Sequence, residues 1–290
     1  MKKIPRAEFN AIIDHPGCGA ILGLKEEKVL LIQMRRNDFP FDTFEIPGGV
    51  SELNETPEQA ARRELKEETG FDIGYTHHLI TITPSVGYSN EYISIYTGKL
   101  LGAEGEAEHT FDFFTKDEIA TLIKGGKIID AQTLGALSFW LNGTVKTAAP
   151  NVLFLCTGNY YRSRFCELYF NQLMAERPFF ADSKGLLAYR KINPGFITPH
   201  TLKYASEIEL PLGVTKFPDQ MEERHFEQAK LVIALDETEH RPMMQEQFPE
   251  WENQIEYWQV HDIDFTEPSE ALPVLKQKVE ELVDQFLRFQ

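Results

Sequence analysis

The sequence predicts a tandem of two domains, an α+β domain with mixed strands followed by an α/β domain built on a parallel sheet. Three observations predict it. The chain has 290 residues, near the length at which one hydrophobic core gives way to two of roughly 100 to 150 residues each. The stretch 142–150, NGTVKTAAP, is short, small-residued and ends in proline, the composition of a domain boundary, and it divides the chain into 1–147 and 148–290. The order of elements also changes across it.

In the first part, apolar runs bounded by turn residues predict a strand over 20–24, a charged turn at 25–28 and a stronger strand over 29–35. A loop rich in Asp, Asn, Phe and Pro leads to Glu45 and the run IPGG. A helix is predicted over 57–69, strands over 77–83 and 91–100, and helices over 116–125 and 132–141. That mixed order is α+β and not a regular βαβα alternation. After Pro150 a compact apolar strand, 152–155, feeds a tight loop and a helix over 162–173. A second apolar strand, 231–235, and an amphipathic helix over 269–287 follow, the order of a parallel sheet with helices on its faces.

Composition narrows the function classes. A hydrophobic fraction of 42% is ordinary for folded protein, and the formal charge of -16 argues against nucleic-acid or anionic-membrane partners, which want a basic surface. No stretch approaches the roughly 20 apolar residues of a membrane span. The amino terminus places Pro5, Arg6 and Glu8 where a signal peptide needs an apolar run, so a cytoplasmic location is expected. Cys18, Cys156 and Cys166 are too few for a disulfide scaffold and leave room for one reduced, reactive thiol. The oligomeric state stays open, with a homodimer among the options.

The segment GGVSELNETPEQAARRELKEETGF carries the strongest local signal. Thr56 is placed to cap the helix, Pro57 suits its first position, Gln59 completes a capping box and Gly70 can take the left-handed stop. Glu64, Glu67 and Glu68, spaced by three and four, fall on one side. Such like charges repel unless a cation sits among them, and Mg2+ or Mn2+ suits carboxylate oxygens. Arg63 and Glu55 are positioned to brace the preceding loop, and Gly48 and Gly49 permit a tight backbone path beside the metal. A run of glutamates alone is the pattern of a solvated helix face. The spacing here is richer: from Gly49, five residues to Glu55, seven to Arg63-Glu64-Leu65, then Glu67-Glu68 and Gly70-Phe71.

That spacing resembles the signature box of the Nudix hydrolases, over roughly residues 10–145. The resemblance implies an αβα sandwich and Mg2+-dependent attack of water on a nucleoside diphosphate linked to another moiety. It implies Glu64 and Glu68 as principal metal ligands, Glu67 as a further ligand or water contact, and catalytic roles for Glu67 and Glu68. The segment 84–91, PSVGYSNE, and the tail GKIIDAQTL at 126–134 resemble the ADP-ribose branch, which implies a nucleoside-diphosphate sugar as substrate and Gly49, Ser89 and Glu91 as substrate contacts. Glu104, Glu106 and Glu108 compete for the role of the late-loop glutamate that positions water.

The second domain opens with VLFLCTGNYYRSR. A strand ending at Leu155, a loop of seven residues from Cys156 to Arg162, and a helix after it form an anion nest in which a thiolate and a guanidinium fork face one phosphoryl group. The run CTGNYYRS resembles the phosphate loop of the low-molecular-weight protein tyrosine phosphatases, over about residues 150–290. The resemblance implies Cys156 as nucleophile through a phosphocysteine, and Arg162, Gly158, Asn159, Tyr160 and Ser163 as phosphate-loop contacts. The general acid is expected in 261–264, HDID, as Asp262, with Asp264 open. This domain is expected to need no cofactor. Arg164, where relatives carry proline, is expected to add positive charge at the rim, and Tyr160 to stack against a phosphomonoester. Two other readings stand beside the bifunctional hydrolase. One is a nucleotide-sensing first domain regulating a tyrosine phosphatase. The other is an arsenate reductase, which needs relay cysteines that do not follow Cys166.

Overall fold

The computed structural model describes residues 15–36, 39–87, 89–188, 195–213 and 216–288. It divides into two compact units, Met1–Ala148 and Ala149–Gln290. The amino-terminal segment and Tyr88, both part of the expectations above, lie outside the described residues.

The first unit is built on β1 (Cys18–Lys25), β2 (Lys28–Met34) and β7 (Ile93–Ala103). β1 pairs antiparallel with β2 and parallel with β7. Around them run β3 (Thr43–Glu45) on β2, β4 (Gly48–Val50) on β1, β5 (Phe71–Ile73) and β6 (His77–Ile82) on β7, and β8 (Phe111–Phe114) on β2. The apolar runs of β1 and β2 bury alternate residues on opposite faces. Ala20, Leu22, Val29 and Leu31 join one core with Leu137 and Trp140 of α3 (Ala131–Leu141) and Ile119 of α2 (Lys116–Lys124). Ile21, Leu30 and Ile32 join the other with Ala61 and Leu65 of α1 (Pro57–Thr69). Helices therefore cover both faces of a mixed sheet, the expected αβα sandwich.

The two glycines of the IPGG run are strand: Ala20 faces Gly48 and Gly19 faces Gly49 across β1 and β4. Glycine is required on both sides of this seam. A Cβ on Gly19 would lie 1.8 Å from the Pro57 carbonyl oxygen, so α1 rests directly on the β1 backbone.

The caps of α1 are those its sequence predicts. Thr56 Oγ1 accepts from the Gln59 N–H at 3.2 Å, Gln59 Oε1 accepts from the Thr56 N–H at 2.9 Å, and Gly70 takes a φ of 74°. Thr56→Ala removes one half of this box and is expected to cost about 1 kcal/mol. A melting curve should show the first unit unfolding a few degrees lower, and an unchanged midpoint would remove the box from the account of why α1 starts there.

The second unit has a wholly parallel sheet in the order β10 (Ala181–Gly185), β9 (Val152–Cys156), β11 (Leu231–Ala234), β12 (Glu256–Tyr257). Val152 and Phe154 of β9 face a core shared with α4 (Arg162–Leu173), α5 (Pro199–Glu207) and α8 (Pro268–Arg288). Leu153 and Leu155 face the opposite core, with Phe226 of α6 (Glu223–Gln228) and Met244 of α7 (Glu237–Gln247). Trp251 stacks on Phe226 and Trp258 lies against Phe154, so each serves packing.

Candidate active sites

In the first unit β4 brings its glycines onto the glutamate face of α1. A Cβ on Gly49 would lie 2.2 Å from Glu64 Oε1, so only glycine lets this carboxylate approach the strand. The Gly48 N–H donates to Glu68 Oε2 at 3.1 Å. Glu68 is 8% exposed, and its carboxyl is pushed up to about 7, by burial first and then by the neighbouring Glu64 and Glu108 charges. Arg63 forks onto both oxygens of Glu55 at 2.9 and 3.0 Å and reaches Glu64 at 2.8 Å, Glu67 at 3.0 Å and the Val50 carbonyl at 3.1 Å. It thereby braces the loop to the helix. Burial acts to raise the Glu55 pKa, yet the Arg63 hydrogen bonds outweigh it and hold Glu55 below its ordinary value.

Burial and like charge both disfavour the ionised form of Glu68, and a divalent cation would reverse that preference. The hard carboxylate oxygens on this helix face fit Mg2+ or Mn2+. Glu67 has the most exposed carboxylate of the three, at 47%, and is turned toward Arg63. Of the three late-loop glutamates, Glu108 is the one whose charge bears on Glu68.

The Glu91 backbone N–H donates to Ser89 Oγ at 3.0 Å. Glu91 Oε1 lies 3.6 Å from Cys18 Sγ and 3.9 Å from His15 Nε2, and the ligand atoms of this trio lie within 4.8 Å of one another. Burial pushes the Cys18 thiol up to about 12, helped by Glu91 and, further off, Glu64. The Gly17 N–H donates to His15 Nδ1 at 3.1 Å, so the imidazole proton sits on Nε2. A protonated thiol and an N–H thus both face one carboxylate. The segment matched to the ADP-ribose branch at 126–134 has a structural task as well: Asp130 caps α3 through Thr133, whose hydroxyl accepts from the Ile46 N–H at 3.0 Å.

In the second unit Cys156 ends β9 and is buried, and its Sγ lies 3.0 Å from Ser163 Oγ. Asn159, at φ 48°, donates through Nδ2 to Ser163 at 3.0 Å and to Ser183 at 2.8 Å, and accepts from the Asp219 N–H at 2.9 Å. Ser163 Oγ, which accepts from Asn159, keeps its own proton available to a sulfur 3.0 Å away. Arg162 is 1% exposed. Its Nη1 donates to the Val260 carbonyl at 3.0 Å, and its Nη2 lies 2.7 Å from Glu239 and 3.0 Å from Asp262. The Nε of Arg162 is buried with no partner. No side chain caps α4, so the start of this helix faces the loop bare. Asp262, and not Asp264, is on the guanidinium; Asp236 caps α7 and takes His261 at 2.7 Å.

A NUDIX domain profile matches residues 14–142, and a low molecular weight phosphotyrosine protein phosphatase profile matches residues 151–288. The chain is a NUDIX domain fused to a low-molecular-weight phosphatase-like domain. It is similar to a methanol dehydrogenase activator of Bacillus methanolicus, 34% identical over 44% of this chain and 74% of that one. It is also similar to an ADP-ribose pyrophosphatase of Bacillus subtilis, 28% identical over 46% and 77%. A low molecular weight protein tyrosine phosphatase from Streptococcus pyogenes superposes with a TM-score of 0.42 at 16% identity, covering 47% of this chain and 92% of that one.

One expectation about the phosphatase-like domain is corrected by the geometry. Arg164 is not at the rim: it is 3% exposed and donates to Glu167 at 2.5 Å. Glu167 also takes the Ser183 hydroxyl at 2.5 Å and lies 3.5 Å from Lys216, so the charge of Arg164 is spent beneath the loop. Tyr160 is 9% exposed, and its carbonyl accepts from the Thr198 N–H. Cys166 is fully buried and forms no disulfide, which gives a reductase relay no accessible second thiol in this domain. In the NUDIX domain, sequence reasoning missed His109, whose Nε2 lies 3.6 Å from Glu68, and the buried Glu45 paired with Arg36 at 2.5 Å. In the phosphatase-like domain it missed Glu239. No spacing rule would have found these, because each is joined to its partner by tertiary contact alone.

No helix among the described residues is long and apolar enough to cross a membrane.

Proposed function

We propose that this chain is a bifunctional hydrolase. The NUDIX domain cleaves the diphosphate of ADP-ribose or a related nucleoside-diphosphate sugar, and the phosphatase-like domain removes phosphate from a phosphomonoester through Cys156. The observation that carries the reading is a complete reactive constellation in each unit. One holds the buried Glu68 and, against the glycine strand, Glu64; the other holds Cys156 in the loop closed by Arg162, whose buried Nε has no partner among the described residues. Curated relatives named ADP-ribose pyrophosphatase support the substrate class.

In the NUDIX domain Glu64 and Glu68 would hold Mg2+ or Mn2+, with Glu67 at the exposed edge. When bound, such an ion lowers the pKa of a water and neutralises charge on the diphosphate. Arg63 keeps the carboxylates together, Ser89 and Glu91 approach the sugar side, and Glu108 is the candidate to orient water. In the second domain Cys156 attacks phosphorus while Arg162 and the loop N–H groups of Gly158 and its neighbours hold the phosphoryl oxygens. Asp262 gives its proton to the leaving oxygen. Water then attacks the phosphocysteine, the sulfur leaves as thiolate, and inorganic phosphate is released.

ADP-ribose cleavage yields AMP and ribose 5-phosphate, both phosphomonoesters. Adding ADP-ribose and Mg2+ to the whole chain is therefore expected to yield AMP, ribose 5-phosphate and then free phosphate. Cleavage without later phosphate release would confine the phosphatase-like domain to another phosphomonoester. Failure to cleave any nucleoside-diphosphate sugar would overturn the reading of the first domain.

A further inference from the structure

The phosphate loop is contacted by a carboxylate that the proposed reaction does not use. Glu239 stands in the first turn of α7, accepts the Thr157 hydroxyl on Oε1 and takes Arg162 Nη2 on Oε2 at 2.7 Å. Its burial would raise its pKa, but His240 and Arg162 outweigh that and hold it down at about 2. His240 Nδ1 accepts the Asp236 N–H at 3.0 Å, so the ring proton lies on Nε2, 3.6 Å from Glu239 Oε2. Glu239 is thus an ionised acceptor held by Thr157 and Arg162, with the His240 ring alongside.

The donors of Arg162 decide where an oxyanion can sit. Nη1 is held by the Val260 carbonyl, Nη2 is shared between Glu239 and Asp262, and Nε is free. An oxyanion clamped on the Nε and Nη2 edge takes the place of Asp262 and lies beside Glu239. Asp236, 4.0 Å from Nη1, is already engaged by His261 at 2.7 Å, and Tyr161, pushed up to about 12 by burial, is neutral there. One guanidinium therefore faces Glu239, the cysteine sulfur and the incoming anion together.

We propose that Glu239 is a specificity-determining residue of this pocket, selecting a phosphoryl group that still carries a proton over a fully ionised dianion. The inference rests on the reading of this domain as a phosphate site. An ionised carboxylate only accepts hydrogen bonds, and so do the oxygens of a dianion. Two charged acceptors set side by side on one guanidinium repel each other unless a proton lies between them. A protonated phosphate supplies a P–O–H that donates to Glu239, whereas sulfate cannot, and the mismatch acts as rejection.

The test is protection of Cys156 from alkylation by iodoacetamide, followed on its own peptide by mass spectrometry, with inorganic phosphate or sulfate as competitor. The pH is held at ~5.5, below the second ionisation of a phosphomonoester at about 6 and further below that of inorganic phosphate, which is then mainly the protonated monoanion. Wild type is expected to bind phosphate at least roughly tenfold more tightly than sulfate, and Glu239→Gln, whose amide can donate to an anion, to narrow that ratio to within about threefold. Equal protection by the two anions in wild type overturns the proposal even if the variant fails to fold. An unchanged ratio in a folded variant overturns it while leaving the phosphate site standing. No protection by either anion overturns both.

Discussion

Cys156→Ser is expected to abolish release of phosphate from aryl and sugar phosphates, by at least ~10⁴-fold, while leaving cleavage of ADP-ribose at the wild-type rate. Loss of a covalent nucleophile sets that scale. The donors around Cys156 are arranged for sulfur. The Ser163 hydroxyl lies 3.0 Å from it and is placed there by the Asn159 amide, which is oriented in turn by the Asp219 N–H and by Ser183. A serine hydroxyl there receives the same donors but ionises far less readily than a thiol, so the donors cannot convert it into a comparable nucleophile. The replacement is small and its oxygen can accept the Ser163 hydrogen bond, so the second unit should keep its melting temperature. Rates on p-nitrophenyl phosphate, ribose 5-phosphate and AMP, with AMP formation from ADP-ribose as the internal reference, decide the matter. Residual phosphatase activity within tenfold of wild type would show that Cys156 is not the nucleophile.

The parts legible in the sequence are those whose determinants are local. The limits of α1, Pro57–Thr69, follow from a capping box, a proline and a glycine lying within its own segment. Those of α4, Arg162–Leu173, follow from an apolar strand meeting a short loop. The short strands escaped. β4 is two glycines and a valine, and it exists because Gly19 and Gly48 let two backbones and a helix meet. β12 is two residues whose pairing is supplied by β11. The same distinction divides the sites. Glu64 and Glu68 share a helix face that spacing reveals, and Cys156 and Arg162 share one loop. Glu239 reaches Arg162 across 77 residues of chain. Arg164 looked like rim charge because the sequence does not show that Glu167, three residues on, and Lys216 close over it.

Glu68→Gln is expected to lower ADP-ribose cleavage by roughly 10² to 10³-fold, the scale for removing one group that stabilises charge in a transition state, and to change how the first unit responds to pH. In the fold Glu68 titrates at about 7 and not at the ordinary 4.5, mainly through burial. Between those values the folded state holds a proton that the unfolded chain has released. Without metal, stability therefore falls as pH rises through this window. The loss is complete above the folded value and amounts to about 3 kcal/mol at most. A divalent cation takes the place of the proton and removes the cost of the charge. In EDTA the melting temperature of the first unit should thus decline from about pH 5 to about pH 8, and Mg2+ should restore it at the upper end and do little at the lower. Glutamine can still accept the Gly48 N–H, so the variant should fold, melt with a flatter pH profile and respond weakly to Mg2+. A wild-type profile with no decline in EDTA would show that Glu68 is ionised at neutral pH without a cation, and would shift the weight of metal binding onto Glu64 and Glu67.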